Sequence, residues 1–423
     1  MPVLKVVITA RAPLVFSERR PGNQFRPSMR YIPGGVIRGA LAQQFLDAGR
    51  EGDEDFGAIF TSAGAPMFRN AYPAFLSTAG SVQTFISSRP LSSTAYSCKT
   101  EAGFARPDGD KGEVTGHGVF DGLVDRLCCE LLGVRVPYRP RCNHPDHGGQ
   151  GERVEAYAGL YAETEHGPRD VEVGLRLSTR VAVNRQRRVA EERMLYSPLA
   201  IDEVTKGDDG KTRAETTFHG GVVVEHAARA LVERWLPGLT HVGSGVARGF
   251  GQVTVTVEEA GTADPAARVK EFNQLLADRW EKWERLRDDS ALEPSCKPGS
   301  GTFFSVMLMS DAVLREEGWS PTVRLEPEML GAAGRNATLL RCYASAGYNG
   351  GWNTAWGLPK DTELVARTGS VYVYHTTASA GDESWLEAIR ALEENGVGER
   401  RQEGFGQVRI CDEFHGSIQE VRR

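Results

Sequence analysis

Residues 142–147 read Cys-Asn-His-Pro-Asp-His, which places three metal donors, Cys142, His144 and His147, within six positions. Zinc takes four tetrahedral donors, usually gathered from separate segments. Cys98, His117, Cys128 and Cys129 all precede this segment. The set favoured by spacing is Cys142 with one or both of His144 and His147, completed by Cys98 or His117. Cys128 and Cys129 are adjacent among apolar residues at helical spacing, which suits a core role better. The site expected is structural, and no catalytic cofactor is expected.

A second chemistry is written in glycine and arginine. The pentapeptide Gly-Phe-Gly-Gln-Val occurs at 249–253 and again at 404–408. The first copy closes GSGVARGFGQV from Gly243 and includes Gly245, Arg248, Gly249 and Gly251. The second closes GVGERRQEGFGQV from Gly396 and includes Gly398, Arg400, Arg401, Gly404 and Gly406. Glycines at this density let a backbone take left-handed dihedrals and turn its N–H groups toward a phosphate. They would equally serve a tight helix-to-strand turn with no ligand. Near the start, Pro33, Gly34 and Gly35 open a helix whose first turn carries Arg38, another place where an anion could be held. Arg180, Arg185, Arg187 and Arg188 cluster in one segment, and Arg135, Arg139 and Arg141 in another. Tyr348, Trp352, Asn353 and Trp356 could stack on bases or plug a turn.

Signatures of hydrolysis or nucleotidyl transfer are missing: no serine elbow, Walker loop, HExxH helix or paired polymerase aspartates is found. A metal-independent ribonuclease needs only scattered acid–base groups, for which His117, His219, His226 and His241 are available.

The elements that must position these residues follow from periodicity. MPVLKVVITA alternates as a strand, and Val36, Ile37, Ala40, Leu41 and Phe45 give a helix after the glycine pair. Strands are expected near 66–75 and 83–97, a mobile excursion over 100–116 and a helix near 119–133. A long hairpin with a basic tip is expected over 171–205 and a helix over 225–236. A charged helix capped by Asp264 and Pro265 spans the middle of the chain. The strand at 302–310, the GSVYVYHT strand and a helix with Trp385, Leu386, Ile389 and Leu392 lead to the second glycine loop. That order suits a ferredoxin-like β-α-β-β-α-β domain, and the repeat implies two domains on one plan.

Length and composition agree with two cores. The chain has 423 residues, 40% hydrophobic and 25% charged, with a net charge of −6. Wholesale electrostatic attraction to nucleic acid is disfavoured by that sign, so a local basic groove is required. No apolar run is long enough to span a bilayer. The N-terminus lacks the layout of a secretory signal, and seven cysteines point to reduced thiols or a metal, so a cytoplasmic location is expected.

Taken together, IPGGVIRGAL, GSGVARGFGQV, the second Gly-Phe-Gly-Gln loop and WGLPKD followed by GSVYVY resemble the CRISPR-associated RAMP superfamily. Within it they are most similar to the Csx-ten-like subunit of type III-D effectors, in the Cas-five group. The resemblance implies an α+β protein of two tandem ferredoxin-like, RRM-like RAMP domains with insertions and a β-hairpin thumb. Its expected layout is an N-terminal domain at 1–260, with an insertion near 98–165 and a thumb near 176–200. A helical connector at 261–298 and a C-terminal domain at 299–423 complete it. The implied role is non-catalytic. The subunit would cap the repeat-derived 5′ handle of CRISPR RNA and contact the large polymerase-type Cas-ten subunit, Cas-seven-type backbone subunits and nearby target RNA. Gly34, Gly35, Arg38 and both glycine loops would face RNA, and Arg185, Arg187 and Arg188 would form the thumb. The chain departs from related sequences at Cys142, His144 and His147, where a Cys-x-x-Cys pair is common. Two other roles remain open, a repeat-cleaving endoribonuclease and a zinc-stabilised scaffold that touches only protein.

Overall fold

The computed structural model describes residues 3–16, 25–26, 28–78, 83–107, 114–134, 138–148, 151–184, 186–261, 264–287, 293–353 and 357–418. Strand β1 (Val3–Ala10) buries Leu4, Val6, Ile8 and Ala10, as its alternation requires. Helix α1 (Gly34–Asp47) starts after the extended Pro33 and buries Ile37, Leu41 and Phe45 at intervals of four. Strands β2 (Met67–Phe68), β3 (Tyr72–Pro73), β4 (Ala95–Cys98) and β5 (Val119–Asp121) precede α2 (Leu123–Leu132). The helix expected at 119–133 is thus divided. Val119–Asp121 pairs with Ala95–Ser97, and Asp121 Oδ1 accepts from Leu123 N at 2.7 Å where the helix begins.

Strands β6 (Arg141–Cys142) and β7 (Glu152–Ala156) are followed by the hairpin β8 (Arg180–Asn184) and β9 (Val189–Ile201). Then come β10 (Thr217–Val223), α3 (His226–Trp235), β11 (Val253–Glu259) and α4 (Pro265–Glu284). Asp264 caps α4 by accepting from Ala266 N at 3.1 Å, with Pro265 in the first turn. The second half runs β12 (Thr302–Leu308), a 3₁₀ segment (Pro327–Gly334), β13 (Ala337–Tyr343), β14 (Ala346–Asn353) and β15 (Leu358–Ala366). It ends with β16 (Val371–Thr376), α5 (Glu383–Asn395) and β17 (Val408–Ile410). Further strands, among them the hairpin Leu160–Thr164 and Gly167–Val171, lie between these elements.

The result is a mixed α and β protein with many small antiparallel sheets. One sheet in each half runs β11-β1-β10-β2, with β3 also paired to β10, and β17-β12-β16-β13, every neighbouring pair antiparallel. Numbered within its own half, each sheet has the order 4-1-3-2. A helix lies between strands 3 and 4 of each half. Between strands 1 and 2 stands α1 in the first half and only the 3₁₀ segment in the second.

Each sheet carries a core. Leu4, Val6 and Ile8 pack with Ile37, Leu41, Phe45 and Val232 in the first. Phe303, Tyr372, Tyr374 and Ile389 pack with Val269, Phe272 and Leu276 of α4 in the second. Leu123, Leu127 and Cys128 of α2 join this second core, although α2 falls in the 98–165 stretch. Burial pushes the thiols of Cys128 and Cys129 up, Cys129 to about 12, which fits their core role. Asp125 of α2 takes a bidentate bond from Arg279 of α4, at 2.6 and 2.8 Å, and a third from Trp283 Nε1 at 2.7 Å. Among the described residues no helix is long and apolar enough to cross a membrane.

Candidate nucleic-acid interface

The two glycine loops are built by the same hydrogen bonds. In the first, Val242 N donates to Gly251 O at 2.8 Å, Gly251 N to Pro13 O at 2.9 Å and Ser244 N to Val15 O at 3.0 Å. In the second, Val397 N donates to Gly406 O at 2.8 Å, Gly406 N to Asp311 O at 2.9 Å and Glu399 N to Val313 O at 2.9 Å. Both loops therefore lie on the segment that follows strand 1 of their half. A Cβ at Gly251 would come within 2.5 Å of Val242 O and one at Gly406 within 1.8 Å of Val397 O, with φ of 88° and 67°. Glycine is required at these two places by close approach and by dihedral alike.

The parallel extends to the neighbouring hairpins. Leu14 and Ile201 exchange backbone bonds of 3.0 and 2.8 Å, tying the end of β9 beside the first loop. Ala312 and Ala366 exchange bonds of 2.8 and 2.9 Å, tying the end of β15 beside the second. A guanidinium covers each loop phenylalanine, Arg180 of β8 at 5.3 Å from the Phe250 ring and Arg400 at 4.6 Å from Phe405.

What the loops present differs sharply. Val246, Ala247, Arg248 and Gly249 of the first loop are exposed, and a side chain at Gly249 would meet open space. The second loop is folded onto α1. A Cβ at Gly404 would lie 2.7 Å from Asn70 Oδ1, 3.0 Å from Phe68 O and 3.2 Å from Gly34 Cα. Asn70 Oδ1 also accepts from Gly34 N at 2.9 Å, and Glu403 lies against Gly35. The positive end of α1 thus faces an internal carboxylate. Arg38 donates to Phe60 O at 2.7 Å and lies over the Phe60 ring, within the field of Glu403.

Arg400 is held between Glu363 at 2.7 Å and Glu403 at 2.8 Å, while Lys360 reaches Glu403 at 2.9 Å. Burial resists the charge on Glu403, but the hydrogen bonds and charges of Arg400 and Lys360 prevail and hold it at about 2. Arg401 is exposed and lines a cleft of about 430 Å³ at the seam, with Met67, Val223, Glu225, Asn395 and Arg400. Residues the sequence did not single out lock that seam. Arg69 donates to the carbonyls of Glu393 and Glu394 at 2.9 and 3.0 Å, and Tyr72 donates to Met309 O. No local sequence signal marks these contacts, because the partners of Arg69 and Tyr72 lie 324 and 237 positions away.

Arg187 and Arg188 occupy the exposed turn of the β8–β9 hairpin, Arg188 at a φ of 55°. Arg185, Arg135 and Trp356 lie outside the described residues, as do the side chains of Trp352 and Asn353, whose backbones pair with Pro359 and Leu358. Gly243, Gly245, Gly396 and Gly398 all have positive φ, from 68° to 83°. Arg180, Arg187, Arg188 and Arg248 thus belong to one hairpin-and-loop unit of the first half.

Four of the five metal candidates converge. Cys98, His117, Cys142 and His147 have one ligand atom each within 4.8 Å of all the others. His144 instead stacks on His117, with ring centroids 3.8 Å apart and an interplanar angle of 11°. Of the other histidines, His219 bonds Ser87 Oγ at 2.7 Å and is pushed down to about 4 by burial and by Lys5. His226 opens α3, and His241 is exposed beside Thr240.

No protein-family model and no curated protein matches the sequence. Solved structures give partial superpositions. A chain of the type III-B Cmr-beta complex bound to cognate target RNA is 11% identical, with 87% of this chain and 86% of that one covered, at a TM-score of 0.36. Oligomeric Cmr4 from Pyrococcus furiosus is 14% identical over 62% of this chain and all of its own, at 0.28. A chain of a type IV-B CRISPR complex is 14% identical over 62% and 93%, at 0.24. Similarity at this level assigns the chain to no family.

Proposed function

We propose that the chain is a non-catalytic, CRISPR RNA-binding subunit of an effector complex, of the type III-D, Cas-five kind suggested by its motifs. The observation that carries this reading is the doubled unit of a 4-1-3-2 sheet closed by a Gly-Phe-Gly-Gln-Val loop, with one copy exposed beside an arginine-bearing hairpin. Each sheet reads as a ferredoxin-like RAMP domain, with the N-terminal domain at 1–260, the connector at 261–298 and the C-terminal domain at 299–423. Backbone N–H groups and Arg248 of the first loop hold phosphates, and the hairpin with Arg180, Arg187 and Arg188 extends along the RNA as a thumb. The second loop braces the first domain instead. The partners proposed are CRISPR RNA, Cas-seven-type and Cas-ten-type subunits and nearby target RNA, in the cytoplasm.

The test is co-purification of the tagged chain with its neighbouring gene products and a CRISPR array, followed by sequencing of the retained RNA. Guide RNA whose 5′ handle loses protection when this subunit is omitted supports the reading. Unchanged handle protection without the subunit rejects it, and cleavage of repeat RNA by the isolated chain would make it a processing enzyme.

A further inference from the structure

Cys98 ends β4, His117 stands two residues before β5, Cys142 ends β6, and His147 lies in the 3₁₀ turn that follows. The four strands concerned form one sheet in the order β5-β4-β7-β6. All four side chains therefore gather at one end of it. His147 Nε2 is 3.3 Å from Cys98 Sγ and 3.1 Å from His117 Nδ1, and His117 Nδ1 is 3.6 Å from Cys142 Sγ. A tetrahedral zinc with Zn–S of ~2.3 Å and Zn–N of ~2.0 Å needs donor–donor edges of roughly 3.3–3.8 Å. These three edges, 3.1–3.6 Å, lie within about 0.2 Å of that range, and all four ligand atoms lie within 4.8 Å of one another.

We infer that Cys98, His117, Cys142 and His147 form a structural Cys₂His₂ zinc site that staples this sheet to itself. Both thiols are buried, with 2% and 3% exposure, so they offer no open position to substrate. His117 presents Nδ1 to the cluster and turns Nε2 to Asp146 Oδ2 at 3.5 Å, the carboxylate partner that metal-bound imidazoles commonly have. His144 is a packing residue: it stacks on His117, and its Nδ1 faces the same carboxylate at 3.4 Å. The staple acts beyond its own sheet, because β5 leads directly into α2, which is packed into the second core.

The experiment measures metal by plasma mass spectrometry on the purified full chain, with and without added Zn²⁺. About one zinc per chain is expected, lost in Cys142→Ser and His147→Ala and retained in His144→Ala. Substitution with Co²⁺ should give the visible bands of a tetrahedral site with two thiolates, and a chelator should lower the melting temperature of the wild type. This wild-type arm decides the matter if the variants fail to fold. No bound metal after Zn²⁺ addition, a Cys98–Cys142 disulfide, or full zinc retention in the Cys98→Ser/Cys142→Ser double variant would overturn the site.

Discussion

Arg248 and Arg400 lie in loops with the same hydrogen bonds and should fail in different ways when removed. Arg248 is exposed on the first loop, so Arg248→Ala should weaken RNA retention and reduce the salt slope of binding by about 1, with a smaller loss of stability than Arg400→Ala. Arg400→Ala takes from Glu363 and Glu403 the cation they share, leaving Glu363 with Arg315 and Glu403 with Lys360. It should cost about 1–3 kcal/mol of stability by denaturant titration. A variant pair with equal loss of RNA and equal stability contradicts this division. His415 offers a pH signature. Burial opposes its charge, but Asp121, 2.8 Å from its Nδ1, outweighs that and raises its pKa. A folded pKa above the unfolded one stabilises fully below about 6.5 and is lost as pH rises through the folded value. The urea midpoints of wild type and His415→Asn should therefore converge as pH rises, whereas a constant gap would contradict a charged pair.

At the scale of elements, the α2–α4 contact combines a shared apolar core, with Leu123, Leu127 and Cys128 on one side and Val269, Phe272 and Leu276 on the other, with one buried ion pair. Asp125 and Arg279 have side-chain exposures of 2% and 8%. Removing the carboxylate alone in Asp125→Ala strands a buried guanidinium and should destabilise by about 3–5 kcal/mol. Urea unfolding of Asp125→Ala against wild type reads this directly, and a loss within experimental error would contradict it. The sequence showed where α4 begins, because Asp264 and Pro265 are local signals. It did not show what α2 packs against, since an apolar stripe at helical spacing carries no address. It also assigned Val119–Asp121 to that helix, because Val119 and Phe120 just before a helix fit either period; the pairing with Ala95–Ser97 decides in favour of strand. The repeated pentapeptide marked both glycine loops correctly as turns between helix and strand. Which loop faces solvent was not legible, because that depends on Phe68, Asn70 and Gly34 meeting Gly404 from 334 or more positions away.

For the whole molecule, the proposed function gives binding to the first-half loop, while the second loop packs on Gly34, Phe68 and Asn70. The net charge is −6, and Arg400 is paired with Glu363 and Glu403 while Glu393 is paired with Arg268 and Arg409. Under the proposed function, the hairpin-and-loop unit of the first half, with Arg180, Arg187, Arg188 and Arg248, is the surface that meets RNA. The most direct measurement is ultraviolet crosslinking of the purified effector complex with its CRISPR RNA, followed by peptide mapping on this chain. Crosslinks are predicted within Gly243–Gly251 and along Arg180–Arg188, and are expected to be absent from Gly396–Gly406. A complex that holds RNA with no crosslink in either first-half segment, or with crosslinks confined to the second loop, would contradict the account.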